Sequence, residues 1–260
     1  MTDLETREQF RPVKSSERTL EILEHLAIVG ERRTLGELAR DLAIPKSSLH
    51  GLLRTMQEMG WIQTDPSGLR FGLGVRALLV GASYVDSDDV VALTRDALDQ
   101  LSDEVGETVH LGRLDGHDIV YLAKRESRHP LRLFSAIGRR LPAHATALGK
   151  AVLSLQDPDT VRVVLPDELR RLTPNTIVDH SRLREELALT RERGYAIDNE
   201  ENAEGIRCIA VPLRREGVVR DAISCSVPMI RLTPQVETEV VEAMQRARVR
   251  AESALGFRTR

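Results

Sequence analysis

In the first third of the chain, apolar positions repeat at helical spacing and then change period. Leu20, Leu23 and Ala27, with Ile22 and Leu26 beside them, predict a helix that opens after Ser15 or Ser16 and stops at Gly30. Thr34 and Glu37 form a capping box, in which hydroxyl and carboxylate each satisfy a free amide of the first turn, so a short helix should run to about Leu42. Ala43-Ile44-Pro45 reads as a tight turn, followed by a third helix from about Lys46 to Met59 that Gly60 ends. Beyond it, Trp61 to Thr64 and Leu69 to Leu73 are strand-like around the turn Asp65-Pro66-Ser67-Gly68. Three helices followed by a short hairpin is the order of a winged helix-turn-helix.

The third helix has two opposed faces. Leu49, Leu52, Leu53 and Met56 make an apolar stripe, whereas Ser47, His50, Gly51 and Arg54 make a polar one. A helix that enters the major groove needs compact donors and acceptors in its first turns. Lys46, Ser47 and Ser48 at its start suit phosphate, because hydroxyls there add to free amides. Gly51 permits close approach to bases, and Arg54 suits a guanine edge or a phosphate. Arg70 is the cation of the hairpin, and Arg33, next to Arg32, lies in the loop before the capping box. Taken singly, each cation reads equally well as a solvated surface charge; their place in the helix order gives them weight.

The remainder is mixed. Residues 74–84 predict a linker helix, and Asp86-Ser87-Asp88-Asp89 caps a long helix to about Val105. Strands are expected at 107–114 and 117–124, joined at Asp115-Gly116, and at 195–199, 206–214 and 218–227, the last two joined at Glu216-Gly217. Helices are expected at 144–155, 180–193 and about 234–255. Helices mixed with hairpin-linked strands point to an α+β or three-layer sensor-type domain.

Composition narrows the function classes. The chain has 41% hydrophobic and 30% charged residues, the latter spread throughout, as in a globular protein. Aromatics at 3% argue against single-stranded nucleic-acid binding on stacked rings. No apolar run approaches the roughly 20 residues of a membrane span, and the opening Met1-Thr2-Asp3-Leu4-Glu5 is unlike a secretory signal. Cys208 and Cys225 have no zinc-type spacing, so reduced thiols in the cytoplasm are expected. Net charge is −3, and residues 11–76 carry ten Lys/Arg against eight Asp/Glu; these sums neither support nor exclude DNA binding.

Enzymatic readings find little support. No nucleophile motif surrounds Cys208, and His144 is distant from it in sequence. Gly149-Lys150 departs from a phosphate-binding loop, with Ala145 in place of its first glycine and Ala151 in place of Ser or Thr. His110, His117, His129 and His180 lack metal-ligand spacing and read as structural or exposed. No catalytic residue, metal or cofactor is expected.

Several separate runs resemble the isocitrate-lyase-regulator (IclR) family of bacterial transcriptional regulators. In the first part these are residues 13–20, Leu38-Ala39, Ile44-Pro45-Lys46-Ser47-Ser48, Leu52-Leu53, Gly60 and Phe71-Gly72-Leu73-Gly74. In the second they are residues 141–150, Arg193-Gly194-Tyr195-Ala196, Glu201 with Gly205, residues 208–212 and residues 222–226. The resemblance covers about residues 13–256. It implies a flexible N-terminus at 1–12, a winged helix-turn-helix at 13–74, a linker helix at 75–87 and a GAF-like α/β effector-binding domain at 88–256. It further implies a homodimer or homotetramer on a palindromic double-stranded operator, with a small-molecule effector, acting in the cytoplasm at the nucleoid. By position, the effector would meet Ala147, Leu148, Asp198, Cys208, Ser224 and Ser226. An organic acid or polyol fits these groups: Ser224 and Ser226 share one strand face, Asp198 accepts from a hydroxyl, and amides near Ala147 suit an anion. One departure stands out. The family often carries Arg in the recognition helix where this chain has Gly51, so its relatives do not indicate its base preference.

Overall fold

The computed structural model describes residues 12–130, 135–216 and 218–257; residues 1–11 of the expected flexible N-terminus and Gly217 of the last expected turn lie outside them. The chain folds as two compact units that divide between Tyr84 and Val85.

In the first unit, α1 (Lys14–Val29) begins from Val13 with no side-chain cap. The Glu17 amide already donates to the Val13 carbonyl at 3.0 Å, so the helical ladder starts upstream of Ser15 and Ser16 and neither caps it. Ile22 and Leu26 are buried, whereas Leu20 and Ala27 point outward. Gly30 ends the helix at φ 69, the left-handed conformation that glycine adopts without strain. β1 (Arg33–Thr34) leads into α2 (Leu35–Asp41), and the capping box forms: the Thr34 amide donates to Glu37 Oε2 at 2.7 Å and the Glu37 amide to Thr34 Oγ1 at 3.2 Å. α3 (Lys46–Glu58) is followed by β2 (Ile62–Thr64) and β3 (Arg70–Leu73), which pair antiparallel in the order β1-β3-β2. Trp61 precedes the strand instead of starting it, and Arg33 lies in a strand, not in the expected loop. Ile22, Leu26, Leu38, Ile44, Leu49, Leu53, Met56 and Ile62 form the core, with Leu52 only partly covered at its edge. α4 (Val75–Asp86) buries no residue.

The second unit opens with α5 (Asp89–Val105), where the Asp88 carboxylate accepts the amides of Val90 and Val91. β4 (Thr108–Asp115), β5 (Asp118–Arg125) and β6 (Arg140–Pro142) follow, then α6 (Ala147–Leu153), α7 (Pro158–Val164), α8 (His180–Arg193), β7 (Ala196–Asn199), β8 (Ile206–Arg215), β9 (Val218–Pro228) and α9 (Pro234–Ala254). Among the described residues the strands form one antiparallel sheet in the order β6-β5-β4-β9-β8-β7. One face carries Val109, Leu111, Ile209, Val211, Ile223, Cys225 and Val227 against α5 and α9. The other packs on α6 and α8, giving three layers.

Three details differ from the sequence pattern. The helix expected at 144–155 breaks at Thr146, which is extended and whose hydroxyl accepts the Gly149 amide. A Cβ at Gly149 would sit 2.0 Å from the Ala143 carbonyl oxygen, so α6 packs on its preceding turn at a distance only glycine allows. β6 and α7 were not anticipated; both are too short to establish a period.

Arg113 ties the start of this unit to the sheet. It ion-pairs with Asp88, and its Nε donates to Asp221 Oδ1 at 2.6 Å on the adjacent strand. Asp88 therefore both caps α5 and neutralises a mostly buried guanidinium. Asp88→Ala is expected to cost about 2–4 kcal/mol, and Asp88→Asn less because it keeps the capping acceptor. Urea unfolding of the two variants checks this order.

Candidate functional site

Lys46, Ser47, Ser48, His50, Gly51 and Arg54 are all exposed on α3, on the side away from the buried Leu49, Leu53 and Met56. Pro45 precedes the helix and offers no side-chain cap, so no capping group takes its first-turn amides. Neither Lys46 nor Arg54 has an ion-pair partner among the described residues. His50, Leu53, Arg54 and Gln57 line a shallow groove of about 220 Å³ with Thr64, Gly68 and Phe71 of the hairpin, so helix and wing share one surface. A Cβ at Gly51 would meet nothing within 4 Å. Internal packing therefore does not require glycine there, although it weakens the helix. Arg70 is exposed on β3, its guanidinium 3.4 Å from the Arg32 carbonyl. Arg33 differs: strand pairing with Phe71 fixes its backbone, and its Nε is buried.

In the second unit, strand alternation sorts the candidates. Ile223, Cys225 and Val227 of β9 enter the apolar layer under α9, so Ser224 and Ser226 face α6. Cys208 pairs with Ser226 and Asp198 with Cys208, which puts three candidates in one row across β7, β8 and β9. Cys208 Sγ and Ser226 Oγ are 3.2 Å apart. Asp198 Oδ1 accepts the amides of Glu201 at 2.7 Å and Asn202 at 3.2 Å. Glu200, inside that turn, has φ 60, a conformation that a non-glycine residue holds only where its surroundings enforce it. Ala147 and Leu148 open α6 within the same layer, and the Leu148 side chain packs into its apolar cluster. The Gly149 amide is taken by Thr146, so it is not free for an anion. His144 Nε2 lies 3.0 Å from the Arg170 carbonyl and is held there, while Cys208 engages Ser226.

Four residues of this layer were not among the candidates: His110, Lys150 and Glu201, which the sequence named without a place at the site, and Tyr121. Lys150 is fully buried and ion-paired with Glu201, with Glu186 3.9 Å away. The signal was present, because one charge in the apolar run Ala147–Leu153 needs a buried partner. Glu201 also lines a cleft of about 390 Å³ with Arg171, Arg182, Asn175 and Asn199. Burial, helped by the Glu201 charge, pushes the Asp198 carboxyl up to about 7, against the pull of two amide hydrogen bonds and Lys150. Burial and the neighbouring Asp198 raise the Cys208 thiol well above its ordinary range, leaving it protonated.

A winged helix followed by a helix and a GAF-like domain defines a class of two-unit transcription factors, and comparison with known proteins agrees. Residues 15–66 match the IclR helix-turn-helix domain, and residues 82–252 match the bacterial transcriptional regulator IclR C-terminal domain. The regulator KdgR of Dickeya chrysanthemi is 35% identical over 242 residues, covering 92% of this chain and 79% of KdgR. An IclR regulator from Alicyclobacillus acidocaldarius superposes with a TM-score of 0.82 at 26% identity, covering 95% of this chain and 100% of that one. An IclR homologue from Microbacterium hydrocarbonoxydans, solved with 4-hydroxybenzoate, gives 0.78 at 25% identity, covering 93% and 99%. This chain belongs to the IclR family of bacterial transcriptional regulators, with a DNA-binding helix-turn-helix. Among the described residues, no helix is long and apolar enough to cross a membrane.

The Asp198 carboxyl has a defined effect on stability. It titrates near 3.8 in the open chain and near 7 here, so folding favours its protonated form. Its contribution is complete below about pH 4 and is lost as pH rises through about 7. Asp198→Asn keeps an acceptor for both amides. The variant is expected to gain stability over the wild type between about pH 4 and about pH 8. Urea unfolding at both values checks this; an equal difference at the two would contradict it.

Proposed function

We propose that this chain is a sequence-specific regulator whose affinity for a palindromic operator is set by a small organic acid or polyol. The effector would bind on the buried face formed by Asp198, Cys208, Ser224 and Ser226, with Ala147 and Leu148 above it. The carrying observation is the row Asp198–Cys208–Ser226 in register on three adjacent strands, in a chain whose recognition helix presents an unpaired polar face. The hydroxy acid bound by the Microbacterium hydrocarbonoxydans relative supports this ligand class. The reading is of a binding protein with no catalytic residue and no cofactor, working in the cytoplasm on DNA.

Lys46, Ser47 and Ser48 would hold phosphate, with Arg70 and Arg33 contributing from the hairpin and β1; His50, Gly51 and Arg54 would face bases. A gel shift on DNA upstream of its own gene, repeated at several salt concentrations, tests the reading, and the absence of any sequence-specific, salt-sensitive binding would overturn it. Arg54→Ala is expected to weaken binding about tenfold or more without affecting the second unit. Gly51→Ala separates stability from recognition: up to about 1 kcal/mol more stable, because alanine favours the helix, yet weaker on DNA because a methyl group enters the contact surface.

A palindrome calls for two copies. Val75, Leu78, Leu79, Val80 and Tyr84 of α4 are each more than half exposed, as is Leu20 of α1. Apolar side chains this dense on one exposed helix fit contact with a second copy of the chain. Leu78→Glu combined with Leu79→Glu is expected to give a monomer by light scattering; an unchanged mass would rule out this face.

A further inference from the structure

We infer that His110 and Tyr121 form one wall of the effector pocket, with His110 holding a carboxylate of the effector; this rests on the pocket reading of Ser224 and Ser226 above. His110 is fully buried, and its flanking residues Val109 and Leu111 both enter the opposite apolar layer. Alternation therefore turns the imidazole to the α6 side, where Ser224 is its direct cross-strand partner. The ring stacks on Tyr121 with centroids 4.3 Å apart, and Tyr121 belongs to the α6-side cluster.

The two ring nitrogens differ. Nε2 lies 2.7 Å from Ser135 Oγ, whereas Nδ1 is buried with no partner. A purely structural buried histidine normally satisfies both nitrogens, since an unpaired buried polar atom is costly. Nε2 is the one acceptor that Ser135 Oγ meets among the described residues, so the hydroxyl proton goes to it and Nδ1 carries the ring hydrogen. The open group is then an N–H donor.

Its surroundings select the acceptor. Burial, with Lys124 and Arg139 nearby, holds the imidazole neutral, with its pKa lowered to about 3. A neutral N–H donor with Ser224 as its direct partner on the next strand offers two adjacent donors, which suit an oxyanion. The Tyr121 phenol lies within electrostatic reach of Cys208 and Asp198, so this ring links the His110 end to the Asp198 row. A hydroxy acid would place its carboxylate at His110 and Ser224 and its hydroxyl towards Asp198 and Ser226.

Lactate, glycerate, gluconate and 4-hydroxybenzoate, each beside its primary amide, are the probes, read by thermal shift and calorimetry on the full chain. At least one acid should stabilise the wild type while its amide does not. His110→Leu should weaken that acid about tenfold or more. His110→Asn, whose amide reaches the Nδ1 position, should retain most of the binding; His110→Gln, which reaches the Nε2 position, should not. If His110→Leu fails to fold, the Asn and Gln pair decides, together with the wild-type imidazole ¹⁵N spectrum, in which the Nδ1 resonance should move on adding the acid. Binding undiminished by the His110 substitutions, or a fixed Nδ1 resonance, while Ser224→Ala with Ser226→Ala weakens the acid, would overturn the role of His110 and leave the pocket standing. If no acid binds, or if neither the serine nor the histidine changes matter, the pocket reading falls with it.

Discussion

Alternation along β9 is the constraint on which the second unit depends. The strand lies in the middle of a sheet covered on both faces, so each residue belongs to one of two unlike layers. Ile223, Cys225 and Val227 enter a dry layer under α5 and α9. Ser224 and Ser226 enter a layer that also holds His110, Asp198 and Lys150. A slip of one residue would exchange the two sets and bury hydroxyls among aliphatic groups, so the register is strongly determined.

That second layer tolerates charge because its geometry is over-determined. Lys150 neutralises Glu201, whose backbone amide donates to Asp198, while Thr173 and Thr176 hydroxyls hold the Glu201 carbonyl. The strained Glu200 lies within the same turn. A buried ion pair is seldom the most stabilising way to fill such a space. Its evident effect is to fix the 198–202 turn, and with it the direction of the Asp198 carboxyl. Gly51 is the counterpart in the first unit, a residue that weakens its own helix and leaves open space before it.

Much of the fold was legible because local chemistry and tertiary structure agree. The capping box at Thr34 and Glu37, the left-handed stops at Gly30 and Gly60, and the apolar stripe of α3 all formed as the residues demand. Legibility failed where the local signal was ambiguous or overridden. Ser15 and Ser16 are good caps, but the ladder had already begun at Val13. Leu20 and Ala27 fit the helical period yet face outward, and β1, β6 and α7 are too short for a pattern. In the candidate pocket, resemblance supplied residues, and the register brought Asp198, Cys208 and Ser226 into one row. His110 stayed hidden because spacing tests for metal ligands do not ask which face of a strand a histidine occupies.

Linkage between the two units of one chain is the property that would make it a regulator. A ligand that changes operator affinity must have its own affinity changed by the operator by the same factor. The decisive measurement is calorimetric titration of the stabilising acid into the protein with and without its operator duplex, paired with titration of the duplex with and without the acid. The two ratios are expected to be equal and different from one. Sequence-specific DNA binding together with acid affinity indifferent to the bound duplex would contradict the coupling.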